Sequence, residues 1–274
     1  EIFKAKDSAI ITRRAMAINI VDQDSLFIHA DTLVATGPQE KRILRGYYDV
    51  RILKSDIRGR SDSLYLDQSI GLTKLLSRPL TNQQEQIFTE ADRNGANPVL
   101  WFGESQMSGD KIFLLSDLVT RKLDSLKITG NIFIIEKDTL SVDGYQQIKG
   151  GILNGAFKEG RLDNIVITKN TEMVYYLYND EDLQLIGIDK TTCSALQMNF
   201  NDGQIENITF LVSPNGDVYP EEELPLNDRT LKGFIWRITE KPETIEDLFD
   251  EKDRGDQFPE ILSLKFPEKE SKNK

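Results

Sequence analysis

The chain holds one cysteine, Cys193, and one histidine, His29, in 274 residues. A single cysteine cannot close an internal disulfide, and one histidine with one cysteine cannot build a Cys/His zinc cluster. Cys193 reads as a small buried thiol and His29 as a surface or packing residue. Positive charge is also short. With 34 basic against 45 acidic residues, the formal net charge is −11. Nucleic-acid binding calls for a basic face, so that class is disfavoured, and so is electrostatic docking on an anionic membrane. Burial of hydrocarbon is a separate free-energy contribution and is not excluded by charge. No apolar run approaches the roughly 18 residues of a membrane-spanning helix.

Recognisable chemistry is missing as well. No serine sits in a GxSxG elbow, no GxGxxG follows a strand, and no EF-hand spacing is present. Neither a catalytic residue nor a metal ligand nor a cofactor is assigned, and the chain is read as a non-enzyme. The carboxylates at Asp24, Asp62, Asp110, Asp124 and Asp138 fit turn positions better than catalysis or calcium. Trp101 and Phe102, with Tyr175, Tyr176 and Tyr178, could pack a core or stack on a sugar.

What is present is a recurring phrase: DSLFI at Asp24, DTLVA at Asp31, DSLYL at Asp62, DSLKI at Asp124 and DTLSV at Asp138, with a looser EDLQL at Glu181. Each reads as a polar turn feeding an alternating strand, which predicts a degenerate, repetitive all-β scaffold. Residues 42–54 read as a strand pair with a bulge at Gly46. Further strands are expected at 118–123, 125–129, 132–136, 161–168, 173–179 and 232–237. Gly109-Asp110, Gly130-Asn131, Asp143-Gly144 and Asp202-Gly203 read as turns. The stretch 81–95 breaks the pattern as an inserted loop or short helix, with Asn82 as cap, Glu85 at the capping-box position and Asn94-Gly95 as stop. Thr244 and Asp247 could cap a short helix. The expected division is a β domain over 1–220, with the insertion at about 81–95, and a polar extension over 221–274 whose end is disordered.

The strongest constellation is collective. Alternation places Leu26, Ile28, Leu64, Leu66, Ile112, Leu114, Leu126, Ile128, Ile132, Ile134, Ile165, Ile167, Leu196, Met198, Phe200 and Phe210 on one face of successive strands. Lining an open fold, these side chains would form an apolar groove; the same pattern fits an ordinary filled sandwich core.

DSLFIHADTL (24–33), RGYYDVRILKSDIRGRSDSLYLD (45–67) and PVLWFGESQMSGDKI (98–112) resemble the OstA-like proteins of the Bacteroidetes type, relatives of the periplasmic lipopolysaccharide-transport protein A. IKGGILNGAF, RLDNIVITKNTEMVYYL and YNDEDLQLIGIDKTTCSALQMNF extend the likeness over about residues 15 to 237. The resemblance implies an open, twisted antiparallel β-jellyroll whose apolar interior takes lipid acyl chains. It implies lipopolysaccharide or a related amphiphile as ligand, and edge-strand pairing with other envelope transport proteins or with itself. The implied location is the periplasm or the periplasmic face of the outer membrane, with a leader expected to have been removed ahead of Glu1. The insertion and the extension lie outside the family's basic pattern. Two other readings stand beside it: a protein-interaction scaffold with a closed core, and a carbohydrate-active β-solenoid enzyme needing a carboxylate pair about 5–9.5 Å apart.

Overall fold

A computed structural model describes residues 2–5, 7–21, 24–79, 81–87, 89–201 and 204–250. Among the described residues fifteen strands form one antiparallel sheet, so the chain is all-β. β1 (Ile2–Ala5), β2 (Ser8–Val21), β3 (Asp24–Thr36), β4 (Ile43–Leu53) and β5 (Ile57–Asp67) pair in chain order. β6 (Leu72–Leu76), β7 (Val99–Phe102), β8 (Ser105–Ser108) and β9 (Lys111–Ser116) are short and occupy shared positions. β6 and β7 both pair β5, while β8 and β9 both pair β10 (Leu123–Lys137). β11 (Tyr145–Lys158), β12 (Arg161–Tyr178), β13 (Leu185–Asn201) and β14 (Gln204–Val212) follow in order, and β15 (Asn215–Tyr219) pairs β13.

The long strands share a device at mid-length. β2 carries Arg13-Arg14, β4 Tyr48-Asp49, β10 Gly130-Asn131 and β12 Lys169-Asn170, and all eight residues have positive φ. At each pair the ladder slips: between Thr12 and Ala15, Tyr47 and Val50, Thr129 and Ile132, Thr168 and Thr171. A left-handed residue pair inserted in one strand turns the chain sharply while the partner strand runs on, as a β-bulge does. The line of bulges therefore folds the sheet into two leaves. One leaf holds residues such as 15–21, 50–53 and 132–137; the other holds 8–12, 43–47 and 123–129. At this apex a side chain packs against bare backbone: a Cβ on Gly150 would lie 2.4 Å from Ile167 Cγ2. Only glycine fits there without displacement.

This device corrects several expectations. Residues 42–54 hold one strand, and its bulge falls at Tyr48-Asp49 rather than Gly46. Gly130-Asn131 is a bend inside β10, so the segments 125–129 and 132–136 are one strand; 161–168 and 173–179 likewise join in β12. Asp31 and Asp62 lie mid-strand, opposite bulges of neighbouring strands, and not in turns. Asp138 does make an Asx turn, accepting from Leu140 N and Ser141 N, but a loop follows it in place of a strand. Residues 118–123 form the β9–β10 turn for most of their length. Asp202-Gly203 and residues 251–274 lie outside the described residues.

Where the insertion was expected, two short helices stand between β6 and β7: α1 (Asn82–Ile87) and α2 (Glu90–Ala96). The first is entered through Thr81, which exchanges bonds with Gln84 (Gln84 N to Thr81 Oγ1 3.3 Å, Thr81 N to Gln84 Oε1 3.0 Å), one residue before the expected Asn82/Glu85 box. The second is capped by Thr89 with Asp92, and Asn94-Gly95 lies inside it rather than ending it.

The strand arms of the first leaf are apolar on both faces. In β10, Ile132 and Ile134 point into the interior cluster, while Phe133 and Ile135 pack outside with Val174, Tyr176 and Ile188. A sheet buried on both faces needs a cover, and residues 220–249 supply it. Leu224, Leu231, Phe234 and Trp236 close over Phe133 and Tyr145, and Ile245, Leu248 and Phe249 close over Phe27 and Leu53. The Phe234 ring meets Tyr145 at 5.0 Å and Phe133 at 6.3 Å. Thr244 precedes the one-turn 3-10 helix Glu246–Leu248, and its N donates to Oδ2 of Asp247, inside that turn, at 2.8 Å.

No strand forms at 232–237. Two buried glutamines hold the segment instead. Gln106 donates to Ile235 O (2.9 Å) and accepts from Arg237 N (2.7 Å); Gln147 donates to Arg229 O (2.8 Å) and accepts from Leu231 N (2.9 Å). Each amide thus takes the C=O of one residue and the N–H two residues on, as a ladder strand would. Arg237, itself buried, donates to Asn97 O at 2.7 Å and forks onto Glu240. Burial alone would push the Glu240 carboxyl up, but Arg237 and Arg60 outweigh it and hold it below the usual range. Asn94 of α2 donates to Gly233 O at 2.7 Å, and Lys149 bridges Glu90 and Lys232 O, so helix and cover form one outer layer.

Two outcomes test this layer. Gln106→Ala strands a buried C=O and N–H and is expected to lower stability by about 2–4 kcal/mol in urea unfolding. The second concerns His29, which lies beneath Phe249 (4.8 Å) with Nδ1–H donating to Ala15 O at 2.8 Å. Burial, aided by Arg51, lowers its pKa despite that hydrogen bond. The unfolded chain then binds the proton more readily, so stability is full above about pH 6.5 and falls as pH drops below it toward the folded pKa. Tm should decline in that window, above the carboxylate range, and His29→Asn should flatten the decline.

Candidate functional site

The two leaves converge at the apex and separate toward the strand ends. Along the separated side runs a seam marked by three cavities in succession. The first, about 120 Å³, lies between Leu26, Ile28, Ile52, Ile57 and Leu100 of one leaf and Leu66, Leu114 and Leu123 of the other. Its rim carries Lys54, Asp67, Gln68, Ser116 and Arg121. The second, about 530 Å³, lies at the β7–β8 turn beside Phe157, Leu162 and Phe200, with Arg58, Arg161 and Lys241 among its polar groups. The third is a crevice of about 10 Å³ among Ile134, Ile148, Tyr175, Met198 and Ile205. Phe102 and Phe157 meet across the seam, their ring centroids 5.9 Å apart, and join the lips at its middle.

All sixteen residues expected on the groove face belong to the interior cluster, but the structure sorts them by depth. Leu26, Ile28, Leu66 and Leu114 line the first cavity, and Ile134, Met198 and Phe200 line the third, Phe200 also reaching the second. Leu64, Ile112, Leu126, Ile128, Ile132, Ile165, Ile167, Leu196 and Phe210 line none of the three. Ile112, Ile128, Ile132, Ile165, Ile167 and Leu196 are wholly buried and fill the apex. Sequence reasoning missed Ile52, Ile57, Leu100 and Leu123 as cavity walls. Their alternation with Arg51, Arg58, Trp101 and Asp124 was the available signal.

The first cavity offers hydrocarbon contact and little reactivity. Its volume is close to the about 150 Å³ of a dry apolar cavity that admits benzene. The Asp67 carboxylate on the rim accepts from the Ser69 hydroxyl (2.6 Å), Ser69 N (3.0 Å) and Tyr65 (3.1 Å), and the Ser69 hydroxyl most of all holds its pKa low. It is an occupied acceptor, which makes it a poor base. Lys54 pairs with Asp56 at 2.6 Å, and Arg121 donates to Gln68 O at 3.3 Å. Among the described residues no group of three His, Cys, Asp or Glu side chains is placed to hold a metal. Cys193 lies in the interior cluster, where burial pushes its thiol up. The aromatic candidates divide between faces: Tyr176 and Tyr178 pack under the outer layer, Tyr175 lies inside, and Trp101 is wholly buried. They make no common platform.

No family model matches the sequence, and no curated protein matches it. Among solved structures, the chain is similar to LptH, described as the LptA-homologous periplasmic component of the conserved lipopolysaccharide transport device from Pseudomonas aeruginosa. Identity is 11%, the match covers 60% of this chain and 95% of that one, and the TM-score is 0.40. So loose an overlap carries no function across; the all-β class rests on the strands themselves.

Depth along the leaves makes a testable difference. Adding volume at the packed apex, Ile128→Phe, should cost about 1–3 kcal/mol in chemical denaturation. Leu26→Phe, which grows into the cavity, should cost less than about 0.5 kcal/mol or stabilise.

Proposed function

We propose that this chain is a non-enzymatic cell-envelope protein that binds lipopolysaccharide or a related amphiphile, with acyl hydrocarbon entering the seam between the leaves. The observation that carries the reading is the first cavity: eight aliphatic walls open at a rim that bears Lys54 and Arg121. Each methylene moved from water into such walls contributes about 0.8 kcal/mol, while an anionic head group stays at the solvated rim. The resemblance of segments 24–33, 45–67 and 98–112 to OstA-like proteins supports the same reading and a place in the periplasm or on the periplasmic face of the outer membrane. The path of the sheet ends at β1 and β14, each with one described partner strand. Such edges can accept a strand from another envelope transport protein or a second copy. The β domain then comprises residues 1–220, and the extension from 221 begins as its outer cover.

A second reading, a scaffold with a closed core, draws on the apex, where Ile128, Ile132, Ile167 and Leu196 are wholly buried. Site-specific photocrosslinkers separate the two. With lipopolysaccharide added, positions 66 and 114 should label and position 128 should stay silent. Failure of both lip positions to label, with the fold intact by circular dichroism, removes the lipid-binding reading and leaves the scaffold.

A further inference from the structure

The second cavity, the largest of the three, plays no part in the acyl site. It lies at the tip of the β7–β8 hairpin, and its volume of about 530 Å³ is within the about 300–1,000 Å³ of small-molecule sites. The hairpin turns on Gly103-Glu104, with Gly103 at φ +59°, the left-handed conformation that favours glycine at the first position of a two-residue turn. Phe102, Met107, Phe157, Leu162 and Phe200 supply the apolar walls. The ionisable groups in the lining are evenly matched: Arg58, Arg161 and Lys241 against Asp56, Glu104 and Glu243. Lys241 Nζ lies 3.2 Å from Glu243 and 4.0 Å from Glu104, and Asp56 is also taken by Lys54, at 2.6 Å. The adjoining β11–β12 turn adds Lys158 against Glu159 and Asp163. Trp101 lines the cavity as well, and its buried indole Nε1–H has no acceptor among the described residues.

We propose that this cavity binds a neutral saccharide unit. Matched charges give an ionic ligand no net field to follow, and an ion of either sign would have to break pairs such as Lys241 with Glu243. A molecule without charge that both donates and accepts hydrogen bonds uses the cations and the carboxylates at once. Sugar hydroxyls do so, each offering one donor and two acceptor lone pairs, while the C–H faces of the ring bury against aromatic walls such as Phe102 and Phe157. The unpaired Trp101 N–H argues for the same chemistry: a buried donor without an acceptor costs free energy that an oxygen settling against this wall recovers. An extended peptide is also neutral and rich in donors and acceptors, but it docks by adding to a strand edge. β7 pairs β5 and β8, and β8 pairs β10, so the hairpin offers no such edge. A free sugar and the head of a glycolipid present the same groups. The site is separate from the acyl site and stands whether or not hydrocarbon enters the first cavity.

The test follows the indole N–H signals of the nitrogen-15-labelled full chain, which holds two tryptophans, Trp101 and Trp236. Trp236→Phe tells the two signals apart. The probes are the neutral disaccharides maltose, lactose and N,N′-diacetylchitobiose, octyl glucoside below its micelle concentration, and glucuronate as the anion. At least one neutral probe should shift the Trp101 signal saturably and leave that of Trp236, which packs on Tyr145 in the outer layer, in place. A shift by a disaccharide identifies a free sugar as the source, and a shift by octyl glucoside alone identifies a glycolipid head; both support the site. Phe102→Leu should weaken binding about two- to tenfold. Glu243→Ala, at an exposed position that leaves the fold intact, should weaken it about tenfold. No movement of the Trp101 signal with any neutral probe overturns the proposal. So does tighter binding of glucuronate than of every neutral probe, or binding that Glu243→Ala leaves unchanged.

Discussion

The left-handed residue pairs at mid-strand set the rest of the architecture. A strand that simply ended at a turn would close one sheet and begin another. Here β2, β4, β10 and β12 bend through Arg13-Arg14, Tyr48-Asp49, Gly130-Asn131 and Lys169-Asn170 without leaving the ladder. Five of these eight residues are neither glycine nor asparagine, so most of the bends carry conformational strain that surrounding pairing must offset. The result is a fold line, and a fold line creates unequal depth. Near it, side chains from both leaves fill one volume; away from it, the same alternating pattern lines a seam. An apolar face of uniform sequence character thereby acquires a packed end and an accessible one.

The second consequence falls on the outside. Doubling the sheet back does nothing for the outer face of the first leaf, where Phe133, Ile135, Val174 and Ile188 would meet water. The chain after Pro220 answers this with its own aromatic and aliphatic residues. It could have added a strand, but an outer face offers no free main-chain edge. Gln106 and Gln147 provide the missing donors and acceptors from side chains, which lets an irregular segment lie flat over a sheet with its backbone groups paired. The apolar cover and the amide clamps depend on each other: buried amides left unpaired would cost more than the cover contributes.

Much of this was legible in the sequence, and the misses share a cause. Alternation placed Leu26, Ile28, Leu66 and Leu114 together, because period-two patterning survives a bulge when the strand resumes in phase. It could not rank depth, since Ile128 at the apex and Leu114 at the lip have the same local pattern and differ only in distance from the fold line. Gly130-Asn131 looks the same whether it ends a strand or bends one. Asp31 and Asp62 were read as turn residues because aspartate tolerates turns, whereas partner strands fix them opposite bulges. Run 132–135, apolar at every position, was the available sign of a two-sided leaf, and with it of the need for a cover. The glutamine clamps had no local signature, since their partners lie 82 to 131 residues away.

Whether the seam can hold more than the end of one chain turns on a comparison of magnitudes. The first cavity, about 120 Å³, admits only a few methylenes. Longer hydrocarbon must pass the Phe102–Phe157 contact, which joins the lips between the first cavity and the third. An aromatic pair of this kind contributes about 0.5–1.5 kcal/mol beyond the area it buries. Each methylene transferred contributes about 0.8 kcal/mol. Two methylenes therefore offset the loss of that ring contact, and chain buried beyond them favours an opened seam. The apex gives no such margin, because separating the leaves there would expose the wholly buried Ile112, Ile128, Ile132, Ile165, Ile167 and Leu196. Under the proposed function, opening would be confined to the lips, and a longer chain would run lengthwise along the seam instead of toward the apex.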